Sequence, residues 1–224
     1  MRHQVTQRLR VTFGIHGPLI YLSVLDLGRL WIRLLRRARV PVAYTQGFSP
    51  HPRLQFAAAL PVGYSSECEL VDIFLAQELT PAEFLQMTRP QAPLGLTIQH
   101  VENVPLKAKS PQANMQKAHY RVLLQSPLSP KEIEAKVQAL LSRQSIIRQR
   151  RKKGRKVDYD LRPLIYEIRY VKYQGNLHQL HMVLRCGPKG SGRPEEILSA
   201  LEIPVDYYTI CRTRLIWDLE ENAQ

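Results

Sequence analysis

HYRVLLQSPLSPKEIEAKVQALL, residues 119–141, is the stretch on which the reading of this chain turns. His119 to Gln125 reads as a strand. Ser129-Pro130-Lys131-Glu132 then opens a helix with a capping hydroxyl, a proline in the first turn and a glutamate at the third helical position. Ile133, Val137, Leu140 and Leu141 give that helix an apolar face. The same cap, proline and glutamate stand earlier, at Thr80-Pro81-Ala82-Glu83, so the chain is read as two copies of one element order.

Working backward, Leu9, Val11 and Phe13 alternate with Arg8, Arg10 and Thr12 as a first strand. Ser23 caps a helix that runs to about Ala38, with Leu27, Leu30, Trp31, Leu34 and Leu35 on its buried face. Apolar pieces at Leu54 to Leu60 and Leu70 to Leu75 suit a hairpin joined through Pro61, Gly63 and Ser65. The helix from Thr80 ends near Pro90, and Leu94 to Val101 closes a β-α-β-β-α-β order. Working forward from residue 141, Leu164 to Tyr173 and Leu177 to Cys186 form a hairpin around Gln174-Gly175-Asn176. Pro194 to Leu201 is a short helix and Tyr208 to Trp217 a last strand. The expected fold class is therefore α+β: tandem ferredoxin-like (βαββαβ) units, antiparallel sheets with helices on one face. The expected domains are 1–106, a polar linker at 107–117, and 118–224.

The chain's 224 residues and 44% hydrophobic content suit a globular protein of one large or two small domains. Thirty-two Lys and Arg against nineteen Asp and Glu leave a formal charge of +13, which favours a polyanionic partner, nucleic acid above all. Twenty-two of those cations are Arg, the side chain that pairs bidentately with phosphate and stacks on bases. Three widely spaced cysteines, an unremarkable N-terminus and the lack of a long apolar run lead us to expect a cytoplasmic, reduced protein with no membrane association.

Arg148, Arg150, Arg151, Lys152, Lys153, Arg155 and Lys156 put seven cations into nine positions. We read them as a mobile loop that grips phosphates, against the plainer reading of a solvated tip. Arg29, Arg33, Arg36 and Arg37 form a second cationic stripe along the first helix, which is either a solvent face or a phosphate contact. Tyr44, Phe48 and His51 lie in a proline-rich connection, placed either to stack on unpaired bases or to plug a core. Lys189 and Arg193 flank a glycine-rich turn before a helix, a backbone arrangement that can face an anion. For catalysis the only candidates are His16 and Tyr21, as base and acid of a metal-independent RNA cleavage. No metal-ligand spacing is found; His178 and His181, three apart in a strand, point to opposite faces. Neither metal nor cofactor is expected.

Leu19-Ile20-Tyr21-Leu22-Ser23 through Asp26-Leu27, Gly47-Phe48-Ser49-Pro50-His51-Pro52, Leu60-Pro61-Val62-Gly63, Glu69 with Asp72-Ile73, Val157-Asp158, Leu161-Arg162-Pro163-Leu164-Ile165 and Gly192-Arg193-Pro194 together resemble the bacterial radical SAM-linked protein family. One departure is Val24, where that family commonly has histidine. The resemblance implies a radical SAM protein as partner. This chain has no Cys-x-x-x-Cys-x-x-Cys run of its own to hold a [4Fe-4S] cluster. The tandem order, early basic helix and late glycine-rich turn are also similar to the RAMP-superfamily CRISPR endoribonucleases, in architecture only. The resulting expectation is an RNA-binding accessory protein that presents tRNA or rRNA to a radical SAM modification enzyme. The alternatives are a metal-independent endoribonuclease and an RNA-independent protein adaptor for the same partner.

Overall fold

The structure, a computed structural model, describes residues 5–152, 154–188 and 190–217, with the backbone alone for Arg151 and Lys152. The fold is mixed α+β. The chain divides into two compact units, the first running through Met115 and the second comprising Gln116–Ile216.

In the first unit, β1 (Gln7–Ile15), α1 (Val24–Arg37), β2 (Leu54–Phe56), β3 (Ser65–Leu75), α2 (Pro81–Thr88) and β4 (Leu96–Asn103) follow in order, and α3 (Pro111–Asn114) is a single turn. The strands pair β4-β1-β3-β2, every pair antiparallel. Leu9, Val11, Phe13 and Ile15 of β1 point to one face of this sheet and are buried against Leu27, Leu30, Trp31, Leu34 and Leu35 of α1 and Phe84 of α2. Phe13 meets Trp31 edge to face at 5.1 Å between ring centroids, a favourable aromatic geometry. Ser23 caps α1 as its sequence requires, accepting from the Asp26 amide.

The opposite face of β1 is buried too. Arg8 and Arg10 are both buried, and between them lies Asp72 of β3, with no exposed surface. Its carboxylate accepts from Arg8 Nε at 2.8 Å and from Arg8 Nη2, and from Arg10 Nε at 2.8 Å and Nη2 at 3.1 Å. Arg8 also donates to the carbonyls of Ala108 and Lys109, at 2.6 and 3.0 Å. The segment 107–117, expected as a linker, therefore covers this ionic triad and contains α3 and the start of the next strand.

In the second unit, β5 (Met115–Gln125), α4 (Pro130–Leu141), a two-stranded ribbon of β6 (Ile147–Lys152) and β7 (Arg155–Asp160), β8 (Ile165–Gln174), β9 (Leu177–Arg185), α5 (Pro194–Leu201) and β10 (Tyr207–Trp217) follow in order. The sheet order is β10-β5-β9-β8, the same permutation as in the first unit once the ribbon is set aside. The β8–β9 hairpin turns on Gly175 and Asn176, both at positive φ, between the paired Gln174 and Leu177. That is the two-residue turn whose twist matches antiparallel strands. Within the run 148–156, expected as a loop, Arg148, Arg150, Arg151, Lys152, Arg155 and Lys156 instead sit on the paired strands β6 and β7. Ribbon pairing satisfies the backbone that a loop would leave to water.

Both predicted capping boxes form: Thr80 with Glu83 and Ser129 with Glu132. The Ser129 hydroxyl, followed by the Ser129 amide, holds the Glu132 carboxyl below its ordinary value of 4.5. Ser129→Ala is expected to destabilise the chain by about 1 kcal/mol in urea denaturation at pH 7. A carboxyl lowered by folding stabilises above its unfolded pKa and loses that effect as pH falls through the folded one. The gap between wild type and variant is therefore expected to narrow below about pH 4. No helix among the described residues is long and apolar enough to cross a membrane.

Candidate nucleic-acid interface

Two arginines of α1 are the natural starting point, because Arg33 and Arg36 make neither an ion pair nor a hydrogen bond with any described side chain. Their neighbours do have partners. Arg29 Nη1 donates to Asp26 at 2.9 Å, and Arg37 Nη2 donates to the Gln91 carbonyl at 3.2 Å. The expected four-arginine stripe is therefore two tethered cations and two uncommitted ones. The Ser23 hydroxyl, with Arg29, lowers the Asp26 carboxyl below its ordinary value, so that end of the helix stays anionic at neutral pH.

Arg33, Arg36 and Arg37 line one open groove with Leu30 and Pro93, of about 530 Å³. Arg36 also lines a second, of about 290 Å³, with Arg39, Pro41, Tyr44 and Pro52. Arg36 thus stands at the junction of two grooves. Sequence reading missed Arg39, which follows the last turn of α1 at positive φ. Its spacing of three from Arg36 was the available signal.

The Tyr44–Pro52 connection is a closed loop on a fixed stem. Ala43 N donates to Phe74 O at 2.7 Å, Arg53 N to Ala43 O at 2.8 Å and Phe74 N to Arg53 O at 3.2 Å, so the stem is continuous with β3. The Arg53 guanidinium lies 4.0 Å over the Phe74 ring. Above it Tyr44 bridges to Pro52, Thr45 N donates to His51 O at 2.8 Å, and His51 N donates to the Thr45 hydroxyl at 3.1 Å. Phe48 sits at the tip with its whole ring in solvent, at 110% relative exposure. The alternative that Phe48 plugs a core is thereby overturned. An aromatic held out on a hydrogen-bonded stem loses little freedom on stacking, which favours its use as a contact.

On the ribbon, Arg148 and Arg150 share a face with their partners Tyr159 and Val157. Arg148 is tied to α5, through Glu196 at 3.3 Å and the Ser199 hydroxyl at 2.5 Å, and the Arg150 guanidinium lies 5.0 Å over Tyr159. Arg155 and Lys156 are exposed. Lys153 and the side chains of Arg151 and Lys152 lie outside the described residues, as does Lys189. The glycine-rich turn does not offer a vacant anion site at α5. Glu195 and Glu196 already occupy the first helical turn, and Arg193 pairs with Glu195 at 3.8 Å.

His16 and Tyr21 are both exposed; His16 precedes the helical turn Gly17–Tyr21 and Tyr21 is its last residue. Neither side chain has a hydrogen-bond partner among the described residues, so nothing positions them as a base and acid. No cluster of three or more His, Cys, Asp and Glu side chains among the described residues is arranged to hold a metal. His178 is buried in the second unit and bonded to the Tyr170 hydroxyl at 3.1 Å, away from His181 as the strand spacing requires.

A family model described as "Uncharacterized protein conserved in bacteria (DUF2344)" matches residues 8–194. No curated protein matches the sequence. Among solved structures, the chain is similar to one in "Crystal Structure of a Cbf5-Nop10-Gar1 Complex", with a TM-score of 0.52 and 12% identity, over 96% of this chain and 50% of that one. It is also similar to one in "Crystal structure of the archaeal box H/ACA sRNP Nop10-Cbf5 complex", with a TM-score of 0.47 and 10% identity, over 92% and 47%. This chain spans about half the length of those it resembles. At such identity the first likeness concerns the fold alone, and the second carries no argument.

Proposed function

We propose, from the premise that this chain belongs to the bacterial family DUF2344, that it is an RNA-binding accessory protein built of two ferredoxin-like units. It presents tRNA or rRNA to a radical SAM modification enzyme. The observation that carries RNA binding is the convergence at Arg36: uncommitted guanidiniums of α1 and the stem of the Phe48 loop line adjoining grooves. Guanidiniums that hold no close ion pair neutralise phosphates without first breaking one. The exposed Phe48 ring at the tip of that loop supplies the stacking surface that unpaired bases take. The ribbon adds further cations, with Arg155 and Lys156 exposed. The sheet order shared by the two units supports the ferredoxin-like reading. The radical SAM partner rests on the sequence resemblance alone.

The test is crosslinking and sequencing of RNA bound to the full chain in its own cells. A discrete tRNA or rRNA site supports the proposal. Background RNA only, together with nuclease-resistant copurification of a protein partner, overturns it in favour of the adaptor. Phe48→Ala is expected to weaken RNA binding by about 1–3 kcal/mol in fluorescence anisotropy. The same substitution should leave the unfolding midpoint unchanged, because the ring buries nothing.

A further inference from the structure

On the sheet of the second unit, Lys117, His119 and Arg121 of β5 alternate with the buried Ala118, Tyr120 and Val122 and so share the opposite face. On it His119 of β5 and His181 of β9 meet: Nδ1 of one lies 3.3 Å from Nε2 of the other, with ring centroids 5.3 Å apart. Glu167 of β8 stands 3.8 Å from the other ring nitrogen of His181, Nδ1. The charged groups around the pair are Lys117 and Arg121 from β5, Glu167 and Arg169 from β8, Arg185 from β9 and Arg214 from β10. Among the described groups named here cations predominate, and Glu167 is already shared with Arg169 at 3.5 Å. At the edge, Tyr166 is about half exposed, with the Lys117 ammonium 4.4 Å over its ring and its hydroxyl accepting from Arg185 Nε at 3.3 Å.

We infer that this open face is a second RNA contact, a platform on which a single-stranded segment lays a base against Tyr166 and a phosphate against the His119–His181 pair. The inference rests on the RNA-binding reading above but uses a different unit and different residues. Four-stranded antiparallel sheets are well shaped for this role, because their open faces hold rings flat and side by side for consecutive bases. Lys117 and Arg185 fix the Tyr166 ring and bring positive charge to it. The two imidazoles share one hydrogen bond, so one nitrogen must donate and the other accept. Burial, then the neighbouring His181 and Arg214, lower the affinity of His119 for a proton and so disfavour its charged form. A phosphate placed there reverses that balance and draws a proton onto His119. Binding is then coupled to proton uptake and tightens as pH falls.

The experiment measures binding of a fluorescein-labelled oligouridylate to the full chain by anisotropy, at pH 6 and pH 8. Tyr166→Ala is expected to weaken binding about tenfold, while Tyr166→Phe, which keeps the ring, binds as wild type. For wild type, each unit by which bound phosphate raises the imidazole pKa contributes up to about tenfold tighter binding at pH 6 than at pH 8. That difference disappears in the His119→Gln/His181→Gln double variant. Thermal unfolding of each variant confirms that it is folded. If Tyr166→Ala binds as wild type, or the pH difference persists without the two histidines, while Phe48→Ala still weakens binding, this platform is overturned and the RNA-binding reading stands. If the wild-type chain binds no RNA, that reading fails and takes the platform with it.

Discussion

Asp72→Asn is expected to destabilise the chain by about 3–5 kcal/mol, read as a fall in the urea midpoint and in Tm. The carboxylate has no exposed surface and accepts from both Arg8 and Arg10. Removing its charge leaves two guanidiniums buried on one sheet face with no counter-ion, a far larger penalty than the net worth of the ion pairs themselves. The loss spreads beyond β1 and β3, because Arg8 is also the donor that fastens the carbonyls of Ala108 and Lys109. Replacing all three residues together by apolar side chains of similar volume is the informative companion, since it removes the charges along with their desolvation. That triple variant is expected to recover most of the lost stability. A cost below 1 kcal/mol for Asp72→Asn would show that water reaches the guanidiniums.

The second large effect is on binding. Arg33→Ala with Arg36→Ala is expected to weaken RNA affinity by about 3 kcal/mol, on the order of a hundredfold at low salt. The slope of log K against log salt should fall by roughly 1.4 on single-stranded RNA, about 0.7 for each phosphate released. Stability should not suffer, because neither side chain holds an ion pair and their mutual repulsion is relieved. Equal substitution of Arg29 and Arg37 makes the contrast. Those side chains are committed to Asp26 and the Gln91 carbonyl, so their removal should change the slope less.

Local chemistry was legible in the sequence wherever a few adjacent residues suffice. The caps at Ser23, Thr80 and Ser129 and the turn at Gly175 and Asn176 all stand where composition placed them. Three features were not. Alternation of Leu9, Val11 and Phe13 with Arg8 and Arg10 describes a strand with one wet face. Nothing near β1 announces that a segment a hundred residues downstream will cover the other. The β6–β7 ribbon was hidden by its own charge, since strand patterns are sought in apolar residues; Val157 and Tyr159 alternating beyond Gly154 were the available hint. His119 and His181 are neighbours only because β5 pairs with β9, so their meeting has no local signature at all. For the candidate interface, residue types were readable and commitments were not. Which arginine is free depends on where Asp26 and Gln91 come to lie.

The ribbon has a consequence of a different kind. Leu161 N donates to Ile146 O at 2.8 Å, so the ribbon departs from the rest of the second unit and returns to it at adjacent points. Neither β8 nor α4 depends on the residues between for its register. Over generations, insertions and deletions at the outer end of the ribbon, beyond the Arg148 and Asp160 contacts that anchor its base, are therefore nearly invisible to the folding of the unit, and selection can lengthen, shorten or recharge this arm to suit a changing partner. The triad at Asp72 leaves no such latitude.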